Sequence, residues 1–378
     1  MKLATFTYNR TAGWSCESFP AMDSPQTLVT VFGASSFIND TGALSDLGAA
    51  FPQAKLTGCS TAGEIMGMTI NDDSLVVAVS QFADTRLETA CAPVQKADET
   101  FAAGEQIARQ LHHDNLRGVF ILSDGLHVNG SELVRGVNSV LPGSVVVTGG
   151  LAADGDRFQN TWILHEGRAE PGYISAVGFY GDAVRIGHGS SGGWDIFGPE
   201  RKVTRSLGNQ LSELDGKPAL ELYKAYLGDR ASELPASALL FPLSLRTGLD
   251  NEKRIVRTVV GISEQDQAMI FAGDIPQGAY VQLMRANFDR LIDGASQAAE
   301  MTGETPFAGD TLAIAISCVG RRLILGERVE EELEATFEGL PPGTQQVGFY
   351  SYGEISPYAT GSCDLHNQTM TLTTIHEK

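Results

Sequence analysis

Several things are scarce in this 378-residue chain. It has five cysteines (Cys16, Cys59, Cys91, Cys318 and Cys363), scattered and without a C-x-x-C pair, which excludes zinc ribbons and thioredoxin-like redox centres. Basic residues are few: 27 Lys and Arg face 46 Asp and Glu, for a net charge of −19. Such a surface repels nucleic acid and anionic membranes as main partners. No apolar run reaches the roughly 18 residues that a membrane span needs. The first residues, MKLATFTYNR, lack the apolar core of a signal peptide. G-x-x-x-x-G-K-[ST] and H-E-x-x-H are both missing, and seven dispersed histidines define no triad. The expectation is an acidic cytoplasmic protein in a reducing compartment.

Glycine, at 42 residues, is plentiful, and it sits in a recurring pattern. An amphipathic helix ends in Phe-Pro or Leu-Pro, a strand follows, and the strand runs into glycine. This occurs at Phe51-Pro52, Leu141-Pro142 and Leu340-Pro341. Asn129 and Ser131 are candidate N-caps for the second helix. The third helix carries Leu325, Val329, Leu333 and Phe337 on one face. The pattern predicts an α/β protein with mixed sheets, built as two related layered domains by internal duplication. The sequence changes character after the Gly-rich stretch at 187–193, so the boundary is placed between a domain at 1–190 and a domain at 191–378. A basic group, Arg246, Lys253, Arg254 and Arg257, reads as a solvated strand face.

GCSTAGEI (58–65) and FYSYGEI (349–355) share Gly-Glu-Ile. Glu64 and Glu354 therefore have the same local setting. They either hold a turn by accepting backbone N–H groups or face a cleft between the halves. In α/β sheets ligands bind beyond the carboxyl ends of strands. That rule selects Gly58, Cys59, Ser60, Glu64, Asp124, Gly149, Gly150, Asp154, Tyr352 and Glu354 as candidate pocket residues, with turn-stabilising roles as the alternative for the aspartates. Cys59 or Ser60 would be the nucleophile if the chain were a hydrolase or transferase, although GCSTAG lacks the second glycine of a nucleophile elbow. His188 lies between glycines and near Trp194 and Phe197, an arrangement that admits a flat ligand and an iron-bound imidazole.

Taken together, GCSTAGEI, GGLAADGDRFQNT, GNQLSELDGKPALELYKAYLG, CVGRRLILGER and GFYSYGEISP resemble the FIST family of bacterial sensory proteins, over nearly the whole chain. The resemblance implies a non-enzymatic intracellular ligand sensor acting on a separate signalling partner, such as a histidine kinase, with a homodimer left open. GHGSSGGWDIFGPERKVTRSLGN is similar to a stand-alone, haem-binding group that senses nitric oxide. This implies haem b held by His188 as axial iron ligand, flanked by Trp194 and Phe197. The alternative the resemblance implies is a small molecule such as an amino acid, held between the domains.

Overall fold

The computed structural model describes residues 1–39, 42–234, 236–250, 253–303, 309–358 and 361–378. The pattern seen three times in the sequence becomes three structural units. The first contains β1 (Lys2–Asn9), the short β2 (Gly13–Trp14), β3 (Thr27–Ala34), α1 (Gly42–Ala50), β4 (Lys55–Thr61), the hairpin β5 (Glu64–Met66) and β6 (Thr69–Asn71), and β7 (Ser74–Gln81). The second contains β8 (Arg86–Pro93), α2 (Thr100–Leu111), β9 (Leu116–Ser123), α3 (Gly130–Asn138), β10 (Val146–Leu151), the hairpin β11 (Ile163–His165) and β12 (Arg168–Glu170), and β13 (Tyr173–Tyr180). The third opens with β14 (Val184–Ser191) and is then interrupted.

The interruption is an antiparallel domain inserted between β14 and the next helix. It holds β15 (Asp195–Ile196), β16 (Arg201–Leu207), β17 (Gln210–Leu214), β18 (Lys217–Pro218), α4 (Ala219–Leu227), β19 (Leu243–Arg246), β20 (Ile255–Arg257), β21 (Val259–Ser263), β22 (Ala268–Phe271) and β23 (Tyr280–Arg285). The third unit then resumes with α5 (Phe288–Glu300), β24 (Thr311–Cys318), α6 (Val319–Leu325), α7 (Val329–Gly339), β25 (Thr344–Ser351), the hairpin β26 (Gly353–Pro357) and β27 (Cys363–His366), and β28 (Met370–Glu377). The single helix expected around Leu325–Phe337 is two helices, broken where Gly326 takes φ +55°. The fold is α/β with mixed sheets, and the duplication extends to a third copy. Residue 190 falls near the end of β14, which pairs along its whole length with the closing strand β28.

Each unit forms one sheet by the same rule. Its two central strands are parallel (β3·β4, β9·β10, β24·β25), and its first and last strands are antiparallel neighbours (β1·β7, β8·β13, β14·β28). The sheet edge comes from elsewhere. The first unit gives β5 to β25, the third gives β26 to β10, and the second gives β11 to β4, which closes a cycle. Three equivalent backbone bonds tie the cycle at its centre: Ala62 N to Tyr350 O (2.8 Å), Tyr352 N to Leu151 O (3.3 Å) and Ala153 N to Ser60 O (3.0 Å).

Burial follows from this arrangement. The inner sheet faces share one core, including Phe32, Phe120, Val177, Ile316 and Phe349, with Phe32 and Phe349 4.8 Å apart. The outer face of each sheet is covered separately: α1 covers the first, α2 and α3 the second, and α5 to α7 the third. Sheets buried on both faces read as near-continuous apolar runs, as TLVTVFG and TLAIAIS do.

Candidate functional site

The carboxyl ends of β9, β10, β24 and β25 face the inserted domain across a cleft, and the cleft has two chambers. The first, about 430 Å³, is walled by Leu126, Val128, Leu151, Phe158, Cys318 and Tyr352 from the three-unit body, and by Leu239, Thr258, Val260 and Phe271 from the insert. The second, about 510 Å³, is lined by Ser131, Val134, Asp364 and Leu365 from the body, and by Leu207, Thr247, Arg257, Asp274 and Gln277 from the insert.

Two aspartates build the rim. Asp124 is fully buried at the end of β9. It accepts the N–H groups of Leu126 and His127 (both 2.8 Å), the Thr161 hydroxyl and the Gly172 N–H (both 3.0 Å), and it contacts the His127 ring at 3.0 Å. Gly125 follows because a Cβ there would stand 1.9 Å from Ala152 O. Asp154 accepts three successive N–H groups, from Phe158, Gln159 and Asn160, each at 2.9 Å, and the Tyr352 hydroxyl. Burial alone would raise its carboxyl. The bonds from Tyr352 and the backbone outweigh burial and hold it below the usual range. They also hold Phe158 at φ +52° and stack it on Tyr352, with centroids 4.6 Å apart and planes 12° from parallel.

Arg257 dominates the second chamber. It is 4% exposed and was expected on a solvated face. Its neighbours in the basic group are neutralised: Arg246 and Arg254 meet Glu200, and Lys253 meets Asp364. Arg257 itself donates only to backbone carbonyls: Asp274 O (3.1 Å), Val256 O (3.2 Å) and Leu365 O (2.9 Å). Among the described residues its Nη2 has no partner and no carboxylate comes within ion-pair reach. Burial pushes the guanidinium down to about 10, so it stays charged at neutral pH. Beside it Asp274 Oδ1 accepts from Asn129 Nδ2 (3.0 Å), and the Asp274 N–H donates to Ser131 Oγ (3.2 Å).

Of the residues selected from sequence, Tyr352 lines the first chamber, and Asp124 and Asp154 shape its loops. The others do not meet there. Cys59 is fully buried in β4 and burial holds its thiol protonated; Ser60 Oγ accepts the Trp162 N–H (3.0 Å). Both side chains are 0% exposed. Gly58 and Gly149 are packing glycines: an added Cβ would lie 2.3 Å from Val31 O and 1.8 Å from Ile121 O. Gly150 is a ladder position opposite Glu354. Glu64 and Glu354 are buried and hold turns. Glu64 accepts from Thr61 Oγ1 and from Ser74 N and Oγ; Glu354 accepts from Ser351 Oγ and from Thr369 N and Oγ1. The sequence reading missed Arg257 as a buried group, and missed Asp274, Asn367 and Arg321. A lone arginine in IVRTVV, a strand of β-branched residues, was the available signal.

Two of the three residues expected around haem are committed to other contacts. Gly187 and Gly189 flank His188 in β14 and face the other way: a Cβ there would lie 2.2 Å from Thr302 O and 2.0 Å from Ala298 O, on the helix side of the sheet, while the imidazole shares the inner face with Val184 and Ile186. His188 sits in β14 opposite Thr373, with Nδ1 buried and unpartnered, and burial lowers its pKa. Trp194 is committed through Nε1 to Gln368 O (2.8 Å), and Phe197 packs against the insert's core. Among the described residues no three His, Cys, Asp or Glu side chains gather to hold a metal ion.

Comparison with known proteins identifies this architecture. A FIST N domain model matches residues 27–217, and a FIST C domain model matches residues 219–357. The chain belongs to the FIST family. FIST domains are sensory modules of signal transduction, and this chain carries both of them. The seam between the two FIST domains, at residues 217–219, falls where β18 gives way to α4, inside the inserted domain. An uncharacterized protein of Methanocaldococcus jannaschii is 22% identical over 353 residues. The match spans 80% of this FIST protein and 64% of that relative, so the chain covers less than two thirds of its length. Cyanuric acid hydrolase from A. caulinodans, a solved structure, aligns over 100% of this chain and 98% of its own at 10% identity. Its TM-score of 0.36 carries no argument. Among the described residues no helix is long and apolar enough to cross a membrane.

Proposed function

We propose that this FIST protein senses an amino acid held in the second chamber of the cleft, between the three-unit body and the insert. One observation carries the reading: Arg257 is buried, charged and short of a carboxylate partner, and it faces a cavity of about 510 Å³. Buried charges are ordinarily paired, because an unpaired one is costly. A ligand carboxylate would supply the partner through the guanidinium fork. Asp274 and Asp364 line the same chamber, and they disfavour a simple anion. A zwitterion satisfies both signs, with its ammonium group toward Asp274.

The connections of the insert suggest how binding is read out. The chain enters the insert at Gly192–Gly193 and leaves it into α5, and these crossings touch: a Cβ at Gly193 would lie 1.8 Å from Arg290 O. Arg321, on α6, donates to Gly192 O (2.6 Å) and to Leu291 O (2.7 Å), so one side chain pins both crossings. A ligand that prefers one setting of the insert shifts that equilibrium, and a signalling partner, such as a histidine kinase, that binds one setting better reads the shift. Such coupling is commonly about 1–3 kcal/mol.

The test is a thermal-shift screen of the twenty amino acids on the full chain. A true ligand at a hundredfold excess over its dissociation constant stabilises by about 2.7 kcal/mol. Arg257→Met abolishes the shift. Gln277→Trp, at the exposed mouth, weakens it without disturbing the buried guanidinium. If no amino acid shifts the melting temperature, or if Arg257→Met responds like the parent, the reading fails.

A further inference from the structure

The first chamber differs from the second in chemistry. Among the described residues its lining has no Asp, Glu, Lys, Arg or His side chain. An ion of either sign would lose its hydration there without compensation from a side chain. The walls are largely apolar, yet two of the residues that line them, Asn367 and Thr258, each carry a polar atom buried just behind the surface. Asn367 is 0% exposed and Thr258 is 4% exposed, and among the described residues Asn367 Oδ1 and Thr258 Oγ1 have no hydrogen-bond partner. The Asn367 amide nitrogen is already used, donating to His366 O at 3.0 Å. Leaving such groups unpaired is destabilising, and native interiors rarely do so.

A third feature stands at the mouth. Phe158 is 56% exposed, in a left-handed conformation that a bulky residue seldom adopts, and parallel to the Tyr352 ring. Tyr352 is itself fixed, donating to Asp154 and also placed 2.9 Å from Gly155 O. The pair forms a rigid aromatic plate over a cavity of about 430 Å³, a size suited to a single-ring or two-ring compound.

We infer that this chamber is a second binding site, for an uncharged planar ring compound bearing N–H donors. Its N–H groups pair with Asn367 Oδ1 and Thr258 Oγ1, and its ring packs on Phe158, Tyr352 and Phe271. This is independent of the amino-acid site, because the two chambers share no lining residue. Cys318 in the wall plays no ionic part: burial pushes its thiol up to about 12.

Benzamide and benzoate, equal in shape but different in charge and N–H donors, are the probes, read by saturation-transfer NMR and titration on the full chain. Benzamide binds at least tenfold more tightly than benzoate. Asn367→Leu lowers benzamide binding about tenfold or more, and Val260→Trp, at the half-exposed edge, abolishes it while the fold is retained. Arg257→Met leaves it unchanged, so failure of the amino-acid reading and failure of this one are told apart. Equal or tighter binding of benzoate, no binding of benzamide, or benzamide binding unaffected by Val260→Trp overturns the inference.

Discussion

Glu64 and Glu354 occupy the same place in two of the three units. Each carboxylate accepts a hydroxyl three residues earlier (Thr61, Ser351) and both the N–H and the hydroxyl of a residue at the start of the unit's last strand (Ser74, Thr369). In the second unit Asp124 does part of this work by accepting the N–H of Gly172, just before β13. The repeated Gly-Glu-Ile is thus a buckle that sends each hairpin to a neighbouring sheet and brings the chain back.

The buckles make stability depend on pH. Burial, only partly offset by hydrogen bonds from Thr61, Ser74, Ser351 and Thr369, pushes Glu64 up to about 7 and Glu354 up to about 8. The folded chain therefore holds these protons more tightly than the unfolded chain. Their contribution is complete below the ordinary value of 4.5 and is lost as pH rises through 7 and 8. Each group removes up to about 1.4 kcal/mol per pH unit within that window. Glu64→Gln with Glu354→Gln abolishes this slope. Urea unfolding from pH 5 to 9 should show the double variant gaining on the parent as pH rises.

Arg321 and Glu332 form an ion pair at 2.6 Å with both side chains 0% exposed. Ser317 (2.7 Å) and Tyr350 (3.1 Å) also donate to Glu332. Removing one partner leaves a buried charge, so Arg321→Met costs about 3–5 kcal/mol. Arg321→Met combined with Glu332→Leu recovers part of that loss. Limited proteolysis adds a reading specific to the hinge: Arg321→Met exposes the crossings near 192 and 291 first.

Glycine substitutions should differ in sign. A Cβ at Gly348 would lie 1.8 Å from Ala315 O, in the parallel neighbour, so Gly348→Ala destabilises by at least about 1–3 kcal/mol. Gly48 lies within α1 with nothing within 4 Å of an added Cβ, so Gly48→Ala stabilises by about 0.5–1 kcal/mol. Denaturant midpoints of the two variants check both.

Haem added to the purified chain should give no stoichiometric Soret band, since Trp194 is tied to Gln368 and Phe197 to the insert's core, which leaves His188 without the flanking aromatics expected of it. A band of full stoichiometry that disappears in His188→Ala would restore the nitric-oxide reading.

The layered units were legible because their signals are local. TLVTVFG, RGVFILS and TLAIAIS are apolar runs of strand length, and Pro52, Pro142 and Pro341 mark the ends of the helices before the second strands. Asn129 caps α3 as its residue type suggests, accepting from Ser131 N (2.9 Å) and Glu132 N (3.2 Å). The exchange of hairpins was not legible, since strand pairing across nearly three hundred residues, such as β5 on β25, leaves no local trace. The site was read less well for the same reason. Glu64 and Glu354 look functional in a Gly-rich setting, but burial gives them to the fold. Arg257 looks like one of four surface cations, and only the packing of the insert against Leu365 buries it.

The central claim is a ligand held between body and insert, and hydrogen exchange on the full chain tests it most directly. With the amino acid that raises the melting temperature most, exchange should slow on both walls together: residues 129–135 and 364–366 of the body, and 255–257 and 274–277 of the insert. Slowing on one wall only, or at a site remote from Arg257, would contradict it.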